Sequence, residues 1–315
     1  MKRKIYFKFI ITFCLFLGTT LCSAQNKLAL LVGISDYESN PNTGWENING
    51  ANDIKLLVSD LEKKGFNQIV AISDQEATCE NIKNNLKMLI SSSQKGDIVY
   101  FHFSGHGQPV LDLNGDEGIE DGWDESIIPY DANMYYQKNI YEGEKHITDD
   151  LLNEFLICLR KKIGPTGLVY VVIDACFSGS AVRSFLENDS STFLKEEIDL
   201  DAPIRGQGAE FKFGTEKNFT PKPDIRIYHK IKSEIDLANI VSIEACAHYQ
   251  KCREIKVNNS YYGPLSYYIH ESLQHNDITH NTIWITDAVK LHRLDRRLFK
   301  QKVVCESTFD YIPGF

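Results

Sequence analysis

The chain has 315 residues, with 34 Lys and Arg set against 43 Asp and Glu for a formal charge of −9, and 43% of it is hydrophobic. An acidic chain of this kind excludes a general binder of nucleic acid or of anionic membranes, and suits basic partners or cations. The length is sufficient for one large α/β domain with a substantial core.

The chain begins with Lys2, Arg3 and Lys4 ahead of an apolar run from Phe9 to Leu21, and Cys22, Ser23 and Ala24 offer small residues before Gln25. This is the pattern of a secretory signal, so cleavage is predicted near Ala24 and residues 25–315 are expected in the periplasm or outside the cell. A lipid anchor on Cys22 is the rival, although Thr19 and Leu21 fit a bacterial lipobox poorly. The run is shorter than the ~20 residues a membrane helix needs, and no later run is longer, so no membrane span is predicted.

Short apolar runs at 28–34 (LALLVGI), 68–73 (QIVAIS), 97–104 (DIVYFHFS), 167–174 (GLVYVVID) and 239–246 (NIVSIEAC) predict buried strands. Helical spacing lies between them. DIKLLVSDLEKKG (53–65) stops at Gly65, CENIKNNLKMLISSS follows Thr78 as N-cap, and TDDLLNEFLICLRKK opens on acids and closes on bases, as the helix dipole prefers. GPLSYYIHESL and ITDAVKLHRLDRRLFK complete the set. Strands alternating with helices predict a mostly parallel sheet covered on both faces, a three-layer α/β/α sandwich. In such sheets ligands gather at the carboxyl ends of the strands.

Two segments break this rhythm. Residues 107–147 are acidic, aromatic and turn-rich, and 187–236 are polar without sustained periodicity. The second divides a larger part (25–186) from a smaller one (237–315), read as halves of one domain. Six cysteines lie beyond the leader, at 79, 158, 176, 246, 252 and 305, too scattered for a disulfide framework. Cys158 falls in an amphipathic helix pattern and is expected in the core.

Cys176 in YVVIDACFSGS and His106 in FHFSGHG both stand where an apolar strand ends. A nucleophilic thiol needs a group to take its proton, and small residues around His106 leave room for a substrate backbone and free amide donors for an oxyanion. Either motif alone reads as a core cysteine or a turn histidine. Together, at strand ends of one parallel sheet, they read as a dyad.

HFSGHG followed by VIDACFSGS resembles the caspase–metacaspase superfamily of cysteine peptidases (clan CD), the bacterial metacaspase-like branch in particular, over most of the chain from Leu28 onward. The resemblance implies a caspase-like α/β/α sandwich and a cysteine endopeptidase. Cys176 would be its nucleophile and His106 its acid and base, with the amides of Cys176 and Gly107 forming the oxyanion hole. DAC in place of the caspase QAC puts Asp174 where metacaspases line the S1 pocket with an acid, implying polypeptide substrates with Arg or Lys at P1. Asp53 in INGANDIKLL matches a second pocket acid, although the spacing is one residue short and the residue also suits a helix start. Ser104 matches a pocket serine. SIEACAHYQKCREI and YYGPLSYYIHESL resemble the small-subunit strand-loop and the helix after it.

The stretch DLNGDEGIEDGWDES (112–126) is dense in carboxylates and is not an EF-hand. It resembles a segment of metacaspases, which are often calcium-activated. That implies a possible Ca²⁺ site at Asp149 and Asp150 with Asp121 and Asp124, although Asp149 and Asp150 also serve a helix start. No cofactor is required for the chemistry, and a monomer is expected. Self-cleavage is expected in the linker, from its exposure and basic content, around Arg205-Gly206 or at Lys212, Lys217 or Lys222. Two other readings compete. A caspase-like scaffold with little activity has little reason to retain both Cys176 and His106, and a flavodoxin-like domain would need a glycine-rich phosphate loop after the first strand, where only Gly33 stands.

Overall fold

A computed structural model describes residues 25–41, 43–111, 123–176, 202–206, 227–247, 250–298 and 300–315. The leader, Asp121 and the three linker lysines lie outside these residues. The strands are β1 (Lys27–Gly33), β2 (Gln68–Ser73), β3 (Ile98–Ser104), β4 (Gly107–Leu111), β5 (Trp123–Ile127), β6 (Ile147–Thr148), β7 (Leu168–Asp174), β8 (Tyr228–Lys230), β9 (Asn239–Glu244), β10 (Ile255–Val257), β11 (Ser260–Tyr262) and β12 (Val304–Ser307). The helices are α1 (Gly50–Lys63), α2 (Cys79–Ser92), α3 (Asp149–Ile163), α4 (Pro264–Leu273) and α5 (Ile283–Leu294).

Seven strands form the central sheet in the order β2-β1-β3-β7-β9-β12-β8. Pairing is parallel from β2 through β9, and only β12 against β9 is antiparallel. The two central strands β3 and β7 are buried along their whole length, so they carry apolar residues on both faces rather than alternating, with His102, Ser104 and Asp174 as polar exceptions toward their carboxyl ends. Core side chains divide by strand parity. Val99, Phe101 and Phe103 pack with α2 and α3 on one face, while Tyr100, Tyr170 and Val172 pack with α1, α4 and α5 on the other. This is the predicted three-layer α/β/α sandwich.

Capping residues place two of the helix starts. Thr148 accepts from the Leu151 amide and Thr78 from the Asn81 amide, each with its oxygen on an otherwise unpaired first-turn N–H. Helix α5 is shorter than its spacing predicts. It ends at Leu294 because the Asp295 carboxylate takes the Arg297 amide and guanidinium and the Tyr268 hydroxyl, turning the chain into a short 3₁₀ segment. Three local expectations are revised. Residues 107–148 contribute a small antiparallel sheet, β4-β5-β6, and β8 inside the polar linker pairs in parallel with β12 at the sheet edge. Cys158 is exposed rather than core, on the outer side of α3. Among the described residues all six cysteines are free thiols, and no helix is long and apolar enough to cross a membrane.

Candidate active site

Strands β1, β3 and β7 lie in register so that Ser104 and Asp174 are direct neighbours at their carboxyl ends, and the chain continues from there to His106 and Cys176. The His106 ring is enclosed by residues of the β1–α1 connection. Trp45 stacks on it at 4.8 Å between centroids and Tyr37 lies at 4.7 Å. Nε2 bonds the Glu46 carbonyl at 2.8 Å, so this nitrogen carries the hydrogen and Nδ1 is left with a lone pair. Nδ1 is buried and has no hydrogen-bond partner among the described residues. Burial pushes the imidazole down to about 4, against the raising effect of the Glu46 carbonyl, so the ring is neutral at neutral pH.

The Sγ of Cys176 makes no bond to His106. It accepts the Cys252 amide at 2.6 Å. Two more thiols are close by, but burial pushes Cys252 up to about 12, and contact with Cys176 and Cys252 raises Cys246 well above its ordinary value. Both are held in the protonated form.

Residues 202–206 lie across this centre. The Arg205 carbonyl accepts the amides of Cys176 at 2.8 Å and of Gly107 at 3.2 Å, the two donors expected from the sequence to form an oxyanion hole. The Arg205 amide donates to the Cys252 carbonyl at 3.0 Å, and the Pro203 carbonyl accepts the Glu254 amide at 3.0 Å. Ile204 pairs antiparallel with Arg253, and Gly206 pairs with Gly107. The segment is therefore held as an added strand, which is how extended peptides are recognised. Gly206 approaches so closely that a Cβ there would stand 2.5 Å from the Cys176 Cβ.

Arg205 is fully buried in the pocket under this strand. Its Nη2 meets Asp53 at 2.7 Å and Glu254 at 2.8 Å. Nε donates to Glu254 at 3.0 Å, and Nη1 donates to Ser104 at 2.5 Å and to the Asp174 carbonyl at 3.0 Å. The Asp174 carboxylate is 3.4 Å from Nη1. The pocket floor is the start of α4. The Gly263 amide donates to Asp53, and the Ser266 amide and hydroxyl donate to Asp174 at 2.7 Å each. A Cβ at Gly263 would overlap Asp174 and Arg205, so a glycine is needed there. Burial raises Asp53 to about 7 even though Arg205 opposes it. Three buried carboxylates around a single cation leave the pocket dependent on a guanidinium for its charge balance.

The structure thus brings together His106, Gly107, Cys176, Asp174, Asp53 and Ser104. It also revises the reason for self-cleavage at Arg205: the residue is enclosed rather than exposed. Glu254, Ser266 and Gly263 are pocket residues that sequence reasoning did not single out. The glutamate sits inside the quoted CREI stretch, but nothing local distinguishes it from any polar loop residue.

Of the four residues expected to hold calcium, Asp121 lies outside the described residues. Asp149 and Asp150 begin α3 beside a cavity of about 390 Å³ that Glu125, Glu244 and Glu306 also line. Asp149 has a buried oxygen without a hydrogen-bond partner among the described residues, and burial followed by Asp150 raises it to about 6. Asp124 is buried on β5. Among the described residues, however, no group of three or more His, Cys, Asp or Glu is placed to hold a metal ion.

A sheet of this order, with histidine and cysteine at the ends of adjacent parallel strands, defines the caspase-like class of α/β domains. The family described as "Metacaspase, peptidase C14 domain" matches residues 27–184, and the chain belongs to that family. Metacaspase-1 of Meyerozyma guilliermondii is 26% identical over 270 residues, which are 78% of this chain and 61% of that protein. Metacaspase-1 of Schizosaccharomyces pombe is 27% identical over 281 residues, covering 81% and 61%. Metacaspase-1 of Eremothecium gossypii is 32% identical over 163 residues, covering 50% and 33%. The chain therefore spans less than two thirds of the length of these relatives. A crystal structure of a protein from Geobacter sulfurreducens shares the fold, with a TM-score of 0.60 and 17% identity over 92% of this chain and 96% of that one.

Proposed function

We propose that the protein is a cysteine endopeptidase that cuts after arginine, and that its own Arg205–Gly206 bond is a substrate. The observation that carries this reading is Arg205 itself, with its side chain among three carboxylates and its carbonyl on the amides of Cys176 and Gly107.

In this reading the Cys176 thiol gives its proton to His106, and Sγ bonds the Arg205 carbonyl carbon. The negative charge that develops on the carbonyl oxygen is received by the two amides, fixed donors that need no reorganisation. His106 returns the proton to the Gly206 nitrogen, the C–N bond breaks, and a thioester to Arg205 remains. Water then attacks the thioester while His106 takes its proton. The products are the Arg205 carboxylate and the regenerated thiol. The Glu46 carbonyl holds the ring with Nδ1 free for both transfers.

Arginine suits the pocket better than lysine because its Nε, Nη1 and Nη2 each meet an acceptor. A lysine would bring one ammonium to a pocket built for a planar fork. Export after removal of residues 1–24 belongs to the same proposal, and recovery of a secreted or periplasmic chain beginning at Gln25 tests it. Calcium dependence is tested by repeating the assays with added Ca²⁺ and with chelator.

The test uses Arg205→Ala, which empties the pocket, with peptides that carry Arg, Lys or Asp at P1. Cleavage in the order Arg, Lys, Asp, lost in Cys176→Ala and in His106→Ala, is the expected result. No Cys176-dependent cleavage of any peptide would remove the peptidase reading, and cleavage after Asp alone would remove the pocket assignment.

A further inference from the structure

Beneath the pocket lies a chain of buried polar groups with no part in the bond-making steps. Tyr100, His102 and Ser104 alternate along β3, so all three face the α1–α4–α5 side, the side from which the pocket is built. The Tyr100 hydroxyl is 3.2 Å from His102 Nδ1, and His102 Nε2 is 3.0 Å from the Ser266 hydroxyl. The Ser266 hydroxyl donates to Asp174 Oδ2 at 2.7 Å. Asp174, His102 and Ser266 are completely buried, as is Tyr100.

The direction of every hydrogen bond in this chain follows from its last member. An ionised Asp174 can only accept, so the Ser266 hydrogen is committed to it. Ser266 must then accept from His102, which places the imidazole hydrogen on Nε2. Nδ1 becomes an acceptor, and the Tyr100 hydroxyl donates to it. Burial supports both assignments, because it pushes His102 down to about 4 and raises Tyr100, leaving a neutral ring and an intact phenol. The chain is thus three hydrogen bonds in series, all polarised toward one carboxylate, an arrangement in which each bond strengthens the next.

We propose that His102 is a positioning residue of the arginine pocket: through Ser266 it fixes the orientation of the Asp174 carboxylate that receives the guanidinium. This rests on the reading of Asp174 as a carboxylate that receives the P1 residue. A serine hydroxyl held by a histidine, together with the Ser266 amide, pins Asp174 Oδ2 in place, so substrate meets an acceptor already oriented.

The experiment measures kcat and KM for an Arg-P1 peptide in the Arg205→Ala chain, adding His102→Leu, His102→Gln, Ser266→Ala, the Leu–Ala double variant and Asp174→Asn. Losing a hydrogen bond that feeds a buried charge should raise KM about tenfold in His102→Leu, with kcat changed by less than about twofold. His102→Gln keeps an N–H donor and should restore KM to within about twofold. The double variant should be no worse than Ser266→Ala alone, because both remove one path. Tyr100→Phe, which keeps the ring, should raise KM about two- to threefold and carries the test if His102→Leu does not fold. Ser266→Ala raising KM while His102→Leu and Tyr100→Phe leave it unchanged would overturn the role of His102. An unchanged KM in Asp174→Asn would instead overturn the pocket assignment beneath it.

Discussion

Glu254 is the residue on which arginine selectivity turns in this account. Its Oε1 takes both Nε and Nη2 of Arg205, and its two oxygens are fixed by the amide and side chain of Asn49 at the start of α1. A lysine ammonium has no Nε–H to offer, so Glu254→Gln should lower kcat/KM for an Arg peptide about 10- to 100-fold and for a Lys peptide much less. Equal losses for the two peptides would show that Glu254 contributes only charge. Cys176 and His106 were legible in the sequence because each ends an apolar strand beside small residues. Asp174 was legible because it lies two residues before the nucleophile. Glu254 was not, since it reaches the pocket only through the loop after β9, and a loop residue's neighbours are set by tertiary packing. His102 carried a signal that went unread: Tyr100, His102 and Ser104 at alternate strand positions put polar groups on a face that should be apolar.

The segment 202–206 lies across the candidate site, and the acidic start of α3 lines a cavity with Glu244 and Glu306. The segment occupies the substrate strand, so Arg205→Ala should bind argininamide where wild type does not. Ligand that binds only the folded chain raises its melting temperature, and at 100 times Kd the stabilisation is about 2.7 kcal/mol, a rise of several degrees. A wild-type chain that shifts equally would mean that Arg205 does not fill the pocket in solution. At the other element, Glu244 beside Glu306 and Asp149 is raised to about 8, by burial first. The folded chain therefore holds a proton that the unfolded chain releases above about 4.5. The stability associated with that proton is complete at low pH and is lost as pH rises through 8. Glu244→Gln should melt a few degrees above wild type at pH 8 and level with it near pH 4. Strand elements were legible because buried parallel strands are apolar runs. The strands β8 and β12 have no counterpart among the predicted runs, because three or four residues are too few to carry a periodic signal.

At the scale of the whole molecule, two cores separated by one sheet hold the site, and the buried imidazoles report on their integrity. His102, His106, His146 and His292 are all pushed down to about 4, burial being the first cause in each. Each of these folded-state values is depressed below 6.5, so between about 6.5 and 4 the unfolded chain binds protons that the native chain refuses. Their contribution to stability is complete above 6.5 and falls away as pH drops through that window. Melting temperature should decline steeply from pH 6.5 to pH 4, and His292→Phe should lessen the decline. An unchanged slope would place the proton uptake elsewhere. The three-layer architecture was legible from the alternation of strands and helices. The insertion of residues 202–206 into the site was not, because a polar linker has no pattern that says where it docks. Its Arg-Gly pair marked the place, but for exposure, which the fold denies it.

The central claim is that Cys176 acts on the carbonyl of a basic residue held among Asp53, Asp174 and Glu254, and the chain supplies its own first substrate. Intact-mass and amino-terminal sequencing of purified wild type, incubated beside Cys176→Ala and Arg205→Ala, tests it most directly. The account predicts a new amino terminus at Gly206 in wild type and none in either variant. A wild-type chain that stays whole between Arg205 and Gly206, or a cut there that persists in Cys176→Ala, would contradict it.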